Sequence, residues 1–177
     1  MLMTYADETP ALRTDAFRWG ALLLSIAAVV ILAALGFEYI GGYVPCPLCL
    51  QQRYAYYAGI PLIALALWFL RAGRTEAAAL LMVAAAVLFA VNAGVGVYHA
   101  GAEWGNWPGP QSCATAQPLP SNAADLLKSL AKSEIIRCDE ATWRFLGLSF
   151  AGWNAVFSAM IAAGALRIAY ICRHDGA

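Results

Sequence analysis

The stretch VPCPLCLQQRYAYYAGIPLIALALWFLRAGR, Val44 to Arg74, decides the fold. It opens on two cysteines in CxxC spacing, Cys46 and Cys49, with Arg53 four residues further on. It continues as an apolar segment, Tyr54 to Leu70, and closes on the tight basic turn RAGR. CxxC spacing lets two sulfurs close a disulfide, and the first turn of a helix draws a thiol toward its reactive thiolate. A two-electron switch is therefore placed at the head of an apolar segment long enough to enter a membrane.

Working outward, three more stretches share that apolar character. Trp19 to Phe37 carries no charge, Ala77 to Tyr98 is interrupted only by Asn92, and Leu146 to Leu166 runs on past Arg167 to Cys172. A bilayer span takes about 17–25 residues. The chain of 177 residues is 62% hydrophobic and 12% charged, with mean hydropathy +0.63, whereas soluble domains carry about 25% charged residues. These figures predict an all-α membrane protein, a four-helix transmembrane bundle forming one domain over residues 1–177. Its spans are expected near 18–37, 54–70, 77–98 and 146–168, with outer loops near 38–53 and 99–145. Pro61 predicts a kink in the second span. Formal net charge is zero and no basic block occurs, which excludes nucleic acid as the expected partner and leaves the lipid bilayer.

The first segment is read as a retained anchor, because its apolar core exceeds the ~7–15 residues of a signal peptide and acidic residues Asp7, Glu8 and Asp15 precede it. Met1 to Asp15 is expected as a disordered or interfacial tail. An even number of spans puts both termini on one side, with Arg13, Arg18, Arg71, Arg74, Arg167 and Arg173; Arg53, Lys128, Lys132, Arg137 and Arg144 lie opposite. The dense RAGR turn tips the positive-inside rule toward cytoplasmic termini. Cys46, Cys49, Cys113 and Cys138 then share the other, oxidising face, where disulfides persist. Cys172 lies on the terminal side and is expected to be an incidental thiol.

The outer segment from about residue 100 to 145 begins with Trp104, Trp107, Pro108 and Pro110, an interfacial aromatic signature. Asn122 reads as a helix N-cap, and Leu126, Leu127, Leu130 and Ile135 recur at roughly helical spacing. This predicts a short amphipathic helix lying either on the membrane or against its own loop. Four cysteines on one face admit three pairings. CxxC pairs internally with ease, which would leave Cys113 with Cys138. A structural zinc site is the alternative, although zinc knuckles usually bring two close pairs, and Cys113 and Cys138 are far apart. A purely structural pair of disulfides is a third reading.

Arg53 lies on the helical face of Cys49, one turn deeper. A charge at that depth either snorkels to the interface or stabilises an anion, such as a Cys49 thiolate or an acceptor oxygen. His99 ends the third span on the same side, and antiparallel spans let it approach Arg53. Alone it reads as an interfacial histidine; beside a dithiol and Arg53 it is a candidate donor to a quinone carbonyl.

CPLCLQQR at Cys46 to Arg53, GVYH ending at His99, the isolated Cys113, and RCDEATWRFLGLSFAGWN from Arg137 to Asn154 together resemble DsbB, the bacterial disulfide bond formation protein B family, over nearly the whole chain. Gln51 departs from the bulkier residue expected there, which touches helix packing more than chemistry. The resemblance implies an inner-membrane thiol oxidase, multi-pass with periplasmic cysteine loops, whose partner is a soluble DsbA-type periplasmic oxidase. It implies attack by the partner's thiolate on a Cys113–Cys138 disulfide at Cys113, then attack by Cys138 on Cys46 of a Cys46–Cys49 pair. Cys49, freed as a thiolate, would pass electrons to ubiquinone or menaquinone held near Arg53 and His99. A vitamin K epoxide reductase-like enzyme is a competing reading, but its CxxC is expected near the end of a late span. A non-catalytic scaffold stapled by disulfides is another.

Overall fold

A computed structural model describes residues 5–109, 141 and 143–174, with side chains described from residue 14. Its four long helices are α1 (Tyr5–Tyr39), α2 (Pro47–Arg71), α3 (Thr75–Glu103) and α4 (Phe150–His174). All four are long and apolar enough to cross a membrane. Each packs against its neighbours in sequence, and α4 closes back onto α1, giving a four-helix bundle.

The chain is sorted by lipid rather than by water. Ile63, Leu70, Met82, Phe89, Ile161 and Ile168 fill the interior, while Val29, Leu32, Leu80, Val91, Leu166 and Tyr170 face outward. Bilayer tails are as apolar as leucine, so helices associate through close packing rather than water exclusion. Small residues permit that approach. A Cβ on Gly96 would stand 3.0 Å from the backbone of Ala155, where α3 meets α4, and one on Gly59 would meet the Phe89 ring at 2.4 Å.

Three boundaries differ from the sequence expectation. α1 begins at Tyr5, inside the stretch expected as a tail, because adding turns to a helix already nucleated by the span is cheap. α2 begins at Pro47 rather than near residue 54, so the helix takes in Cys49 and Arg53 on one face, as their spacing requires, with the CxxC at its head. Pro at the first helical position lacks only an N–H that would be orphaned anyway. Pro61 sits inside α2 without ending it. The fourth helix begins at Phe150 rather than Leu146: residues 144–149 form a two-stranded hairpin, Arg144–Phe145 (β1) against Leu148–Ser149 (β2), turned by Leu146 at φ 51° and Gly147 at φ 82°. The Ala72–Arg74 turn uses Gly73 at φ 73°. The predicted surface helix near Leu126, and both Cys113 and Cys138, lie outside the described residues.

Candidate functional site: a dithiol at the head of α2

Cys46 is the N-cap of α2, in extended conformation (φ −72°, ψ 164°), and its Sγ accepts the Cys49 N–H at 3.2 Å. An N-cap anion meets the unpaired amides and positive dipole end of the helix. Cys49, one turn in, brings its Sγ to 2.8 Å from Cys46 Sγ, and both are thiols. On the other flank His99, from the last turns of α3, places Nε2 3.6 Å from Cys46 Sγ. The Cys49 thiol above all, then the His99 imidazole and the Cys49 amide, draw the Cys46 pKa down to about 5 against the opposing effect of burial. Cys46 is the group poised as thiolate.

His99 is 2% exposed and is oriented by a chain of amides. Gln52 Nε2 donates to His99 Nδ1 at 2.9 Å, and Gln52 Oε1 accepts from Asn154 Nδ2 at 2.6 Å. Asn154 Oδ1 in turn accepts from the Tyr56 hydroxyl at 2.8 Å. Asn92 Nδ2 joins from α3, donating to Ser158 Oγ at 2.9 Å. An amide nitrogen only donates, so Nδ1 accepts and the ring proton resides on Nε2, aimed at Cys46. Such polar groups are expensive in an apolar interior unless paired. Among the described residues no buried side-chain N or O lacks a partner.

Glu103 closes the back of the site. Its Oε1 lies 3.8 Å from His99 Nε2, and its Oε2 accepts the Ser149 hydroxyl at the head of α4. Arg53 meets Glu38 of α1 in an ion pair that ties the first two helices together. Neither acid was singled out from sequence. The signals were a charge directly after Phe37, and a carboxylate four residues past His99.

Beside the dithiol lies a cavity of about 450 Å³ walled by α1, α2, α4 and the segments before α2 and α4. Its walls are apolar and aromatic: Val30, Ala34, Phe37, Tyr43, Phe145, Phe150, Trp153 and Phe157 line it. Trp143 stacks on Phe150 with centroids 4.8 Å apart. Polar groups gather along one side, namely Glu38, Cys49, Gln52, Arg53, Tyr56 and Asn154. Cys46 and His99 are not in the lining. Four of the six predicted site residues, Cys46, Cys49, Arg53 and His99, therefore converge, but the arrangement is sided: Cys49 and Arg53 face the cavity, while Cys46 turns to His99. Cys172 is buried at the opposite end of α4.

The fold and site define a class: a multi-pass helical membrane protein with a close pair of cysteines beside an apolar cavity. The chain belongs to the DsbB family, matching the family described as "Disulfide bond formation protein DsbB" over residues 16–168, and is thus a membrane disulfide-forming oxidoreductase. It is similar to proteins named "Disulfide bond formation protein B" from three bacteria. The Verminephrobacter eiseniae protein is 32% identical, covering 98% of this chain and 92% of the relative. The Marinobacter nauticus protein is 33% identical, covering 81% and 86%, and the Aromatoleum aromaticum protein 31%, covering 88% and 95%. No solved structure matches.

Proposed function

We propose that this protein reoxidises a periplasmic DsbA-type dithiol oxidase and delivers the electrons, through Cys113–Cys138 and then Cys46–Cys49, to a membrane quinone. The observation that carries the reading is the sidedness of the dithiol: Cys49 and Arg53 line a cavity of about 450 Å³, and Cys46 is held away from it by His99. The cavity has the apolar walls and few convergent polar groups of a small-molecule site, which suits an aromatic ring with carbonyl oxygens at its edge. A bound ubiquinone or menaquinone supplies an acceptor for two electrons and two protons.

The chain's own residues do the rest. Attack by the Cys138 thiolate on Cys46 breaks the Cys46–Cys49 bond and leaves the electron pair on Cys49, at the cavity wall. Cys113, freed as a thiolate when the partner's second cysteine closes the partner's own disulfide, then attacks Cys138. That step re-forms the Cys113–Cys138 bond and leaves Cys46 and Cys49 both reduced; closure of the Cys46–Cys49 disulfide gives up two electrons and two protons to the quinone. Arg53, with its charge partly balanced by Glu38, presents N–H donors to an oxygen in the cavity. His99 was expected on the quinone; its position favours a role at the dithiol, donating Nε2–H to the Cys46 sulfur as that sulfur gains charge.

The partner sets an energetic demand. A DsbA-type oxidase sits near about −120 mV, and structural disulfides below about −300 mV are too reducing to reoxidise it. Holding Cys46 as a stabilised thiolate favours the reduced dithiol and so makes its disulfide a stronger oxidant, the direction required. By the same reading the dithiol end is periplasmic, both termini are cytoplasmic, and the membrane is the bacterial inner one.

The test is a single turnover of a Cys113→Ser/Cys138→Ser variant, pre-reduced and freed of reductant. Adding a short-chain quinone should remove the free thiols of Cys46 and Cys49 as the quinone is reduced. Persistence of both thiols beside unreacted quinone would overturn the proposal.

A further inference from the structure

The head of α2 and the end of α3 bring together more ligand chemistry than a disulfide exchange uses. Cys46 Sγ, Cys49 Sγ and a His99 ring nitrogen all lie within 4.8 Å of one another. Glu103 Oε1 is 3.8 Å from His99 Nε2. We propose that the reduced protein binds one thiophilic divalent cation, Zn²⁺ or Cd²⁺, through Cys46, Cys49, His99 and Glu103, and that the disulfide form does not.

The donor set is two thiols, an imidazole and a carboxylate, the types that bind zinc tetrahedrally at about 2.3 Å to sulfur and 2.0–2.1 Å to nitrogen. Those bond lengths put sulfur and nitrogen about 3.5 Å apart across a tetrahedral ion, and Cys46 Sγ stands 3.6 Å from His99 Nε2. The two sulfurs are closer than the ion requires, at 2.8 Å. They must part by roughly 1 Å to reach tetrahedral spacing, a change within a small rotation about the Cys49 side chain.

Charge agrees with the geometry. An unaccompanied cation would be costly in this enclosed place, but two thiolates neutralise it and the carboxylate completes its shell. Cys46 is already poised as the thiolate, so binding releases the one thiol proton of Cys49: M²⁺ + RS⁻ + RSH gives M(SR)₂ + H⁺. The chain behind His99 can follow. With the ion on Nε2 the ring proton moves to Nδ1, and the Gln52 amide turns its Oε1 toward it. Asn154 and Tyr56 can reverse in step, since an amide and a hydroxyl each donate and accept. Oxidation destroys the site, because only the thiolate is the metal ligand.

Binding stands apart from the electron-transfer reading; only its consequence, a cation that blocks turnover by withholding the dithiol, rests on that reading. The experiment is anaerobic titration of detergent-solubilised Cys113→Ser/Cys138→Ser protein with Cd²⁺, following the ultraviolet thiolate–cadmium band. The reduced protein should reach an end point at one ion per chain and the oxidised protein should give no band. His99→Ala and Glu103→Gln should each weaken binding by about tenfold or more, the scale on which changes around metal sites act. A band of equal affinity in the oxidised protein, or an affinity unmoved by either substitution, overturns the site. The oxidised arm needs no substitution in the site, so a misfolded variant leaves it decisive. One-to-one binding in a protein that fails to reduce quinone would sink the electron-transfer proposal and leave the cation site standing.

Discussion

Gln52 Nε2 donates to His99 Nδ1 at 2.9 Å, and this one bond decides which face of the imidazole carries the proton. Gln52 is itself fixed by Asn154 from α4, so three helices cooperate to point a single N–H at the Cys46 sulfur.

Gln52→Leu should remove that orientation. The buried His99 Nδ1 is left unpaired, at a cost of about 1–3 kcal/mol, which thermal unfolding in detergent will register. The mechanistic signature is separate: alkylation of Cys46 at pH 6 should slow relative to pH 8, because the thiolate loses its preferred donor. Asn154→Ala should shift the same ratio in the same direction and by less, acting one bond further away.

The pH dependence of Cys46 follows from its pKa, drawn down to about 5 from 9.0 chiefly by the Cys49 thiol, with His99 and the Cys49 amide assisting. Alkylation of the reduced protein should stay near its plateau down to about pH 6 and fall below pH 5. The sign for stability is that of an acid whose folded pKa is depressed. Its contribution is complete above the unfolded value and declines as pH falls from 9.0 toward 5, where it is gone. Melting of the reduced protein across that window should lose a component that Cys46→Ser lacks. A Cys46 whose reactivity titrates near the ordinary thiol value would contradict the N-cap account.

Gly59→Ala places a methyl 2.4 Å from the fully buried Phe89 ring. Overpacking of this kind costs about 1–3 kcal/mol. The expected result is a lower melting temperature with the alkylation profile of Cys46 unchanged. Gly94→Ala, where an added methyl meets nothing within 4 Å, is the control and should melt no lower.

Much of this was legible in the sequence, and the part that was not has a common cause. Apolar run lengths reveal four spans because bilayer thickness sets a minimum, and CxxC reveals its chemistry because the spacing does. Run length says nothing about how each helix is rotated about its axis. Gln52, Asn92, Asn154 and Ser158 read as isolated polar residues within apolar or interfacial sequence, and only rotation and packing bring them into one network. Rotation also decides that Arg53 meets Glu38 and that His99 meets Cys46 rather than the cavity. The fourth span was placed too early because Leu146, Leu148 and Phe150 are apolar, and hydropathy cannot see the positive φ of Leu146 and Gly147 that makes a hairpin of them.

The central claim, that electrons leave through Cys49 into the cavity beside Arg53, is tested most directly by optical measurement of quinone reduction by the purified protein. A reduced DsbA-type oxidase serves as donor, and wild type is compared with Cys49→Ser and Arg53→Ala. The account predicts turnover in wild type, none without Cys49, and about tenfold more quinone needed for half-maximal rate without Arg53, the ~1.4 kcal/mol of one charge-assisted contact. Full turnover in Cys49→Ser, or a quinone requirement indifferent to Arg53, would contradict it.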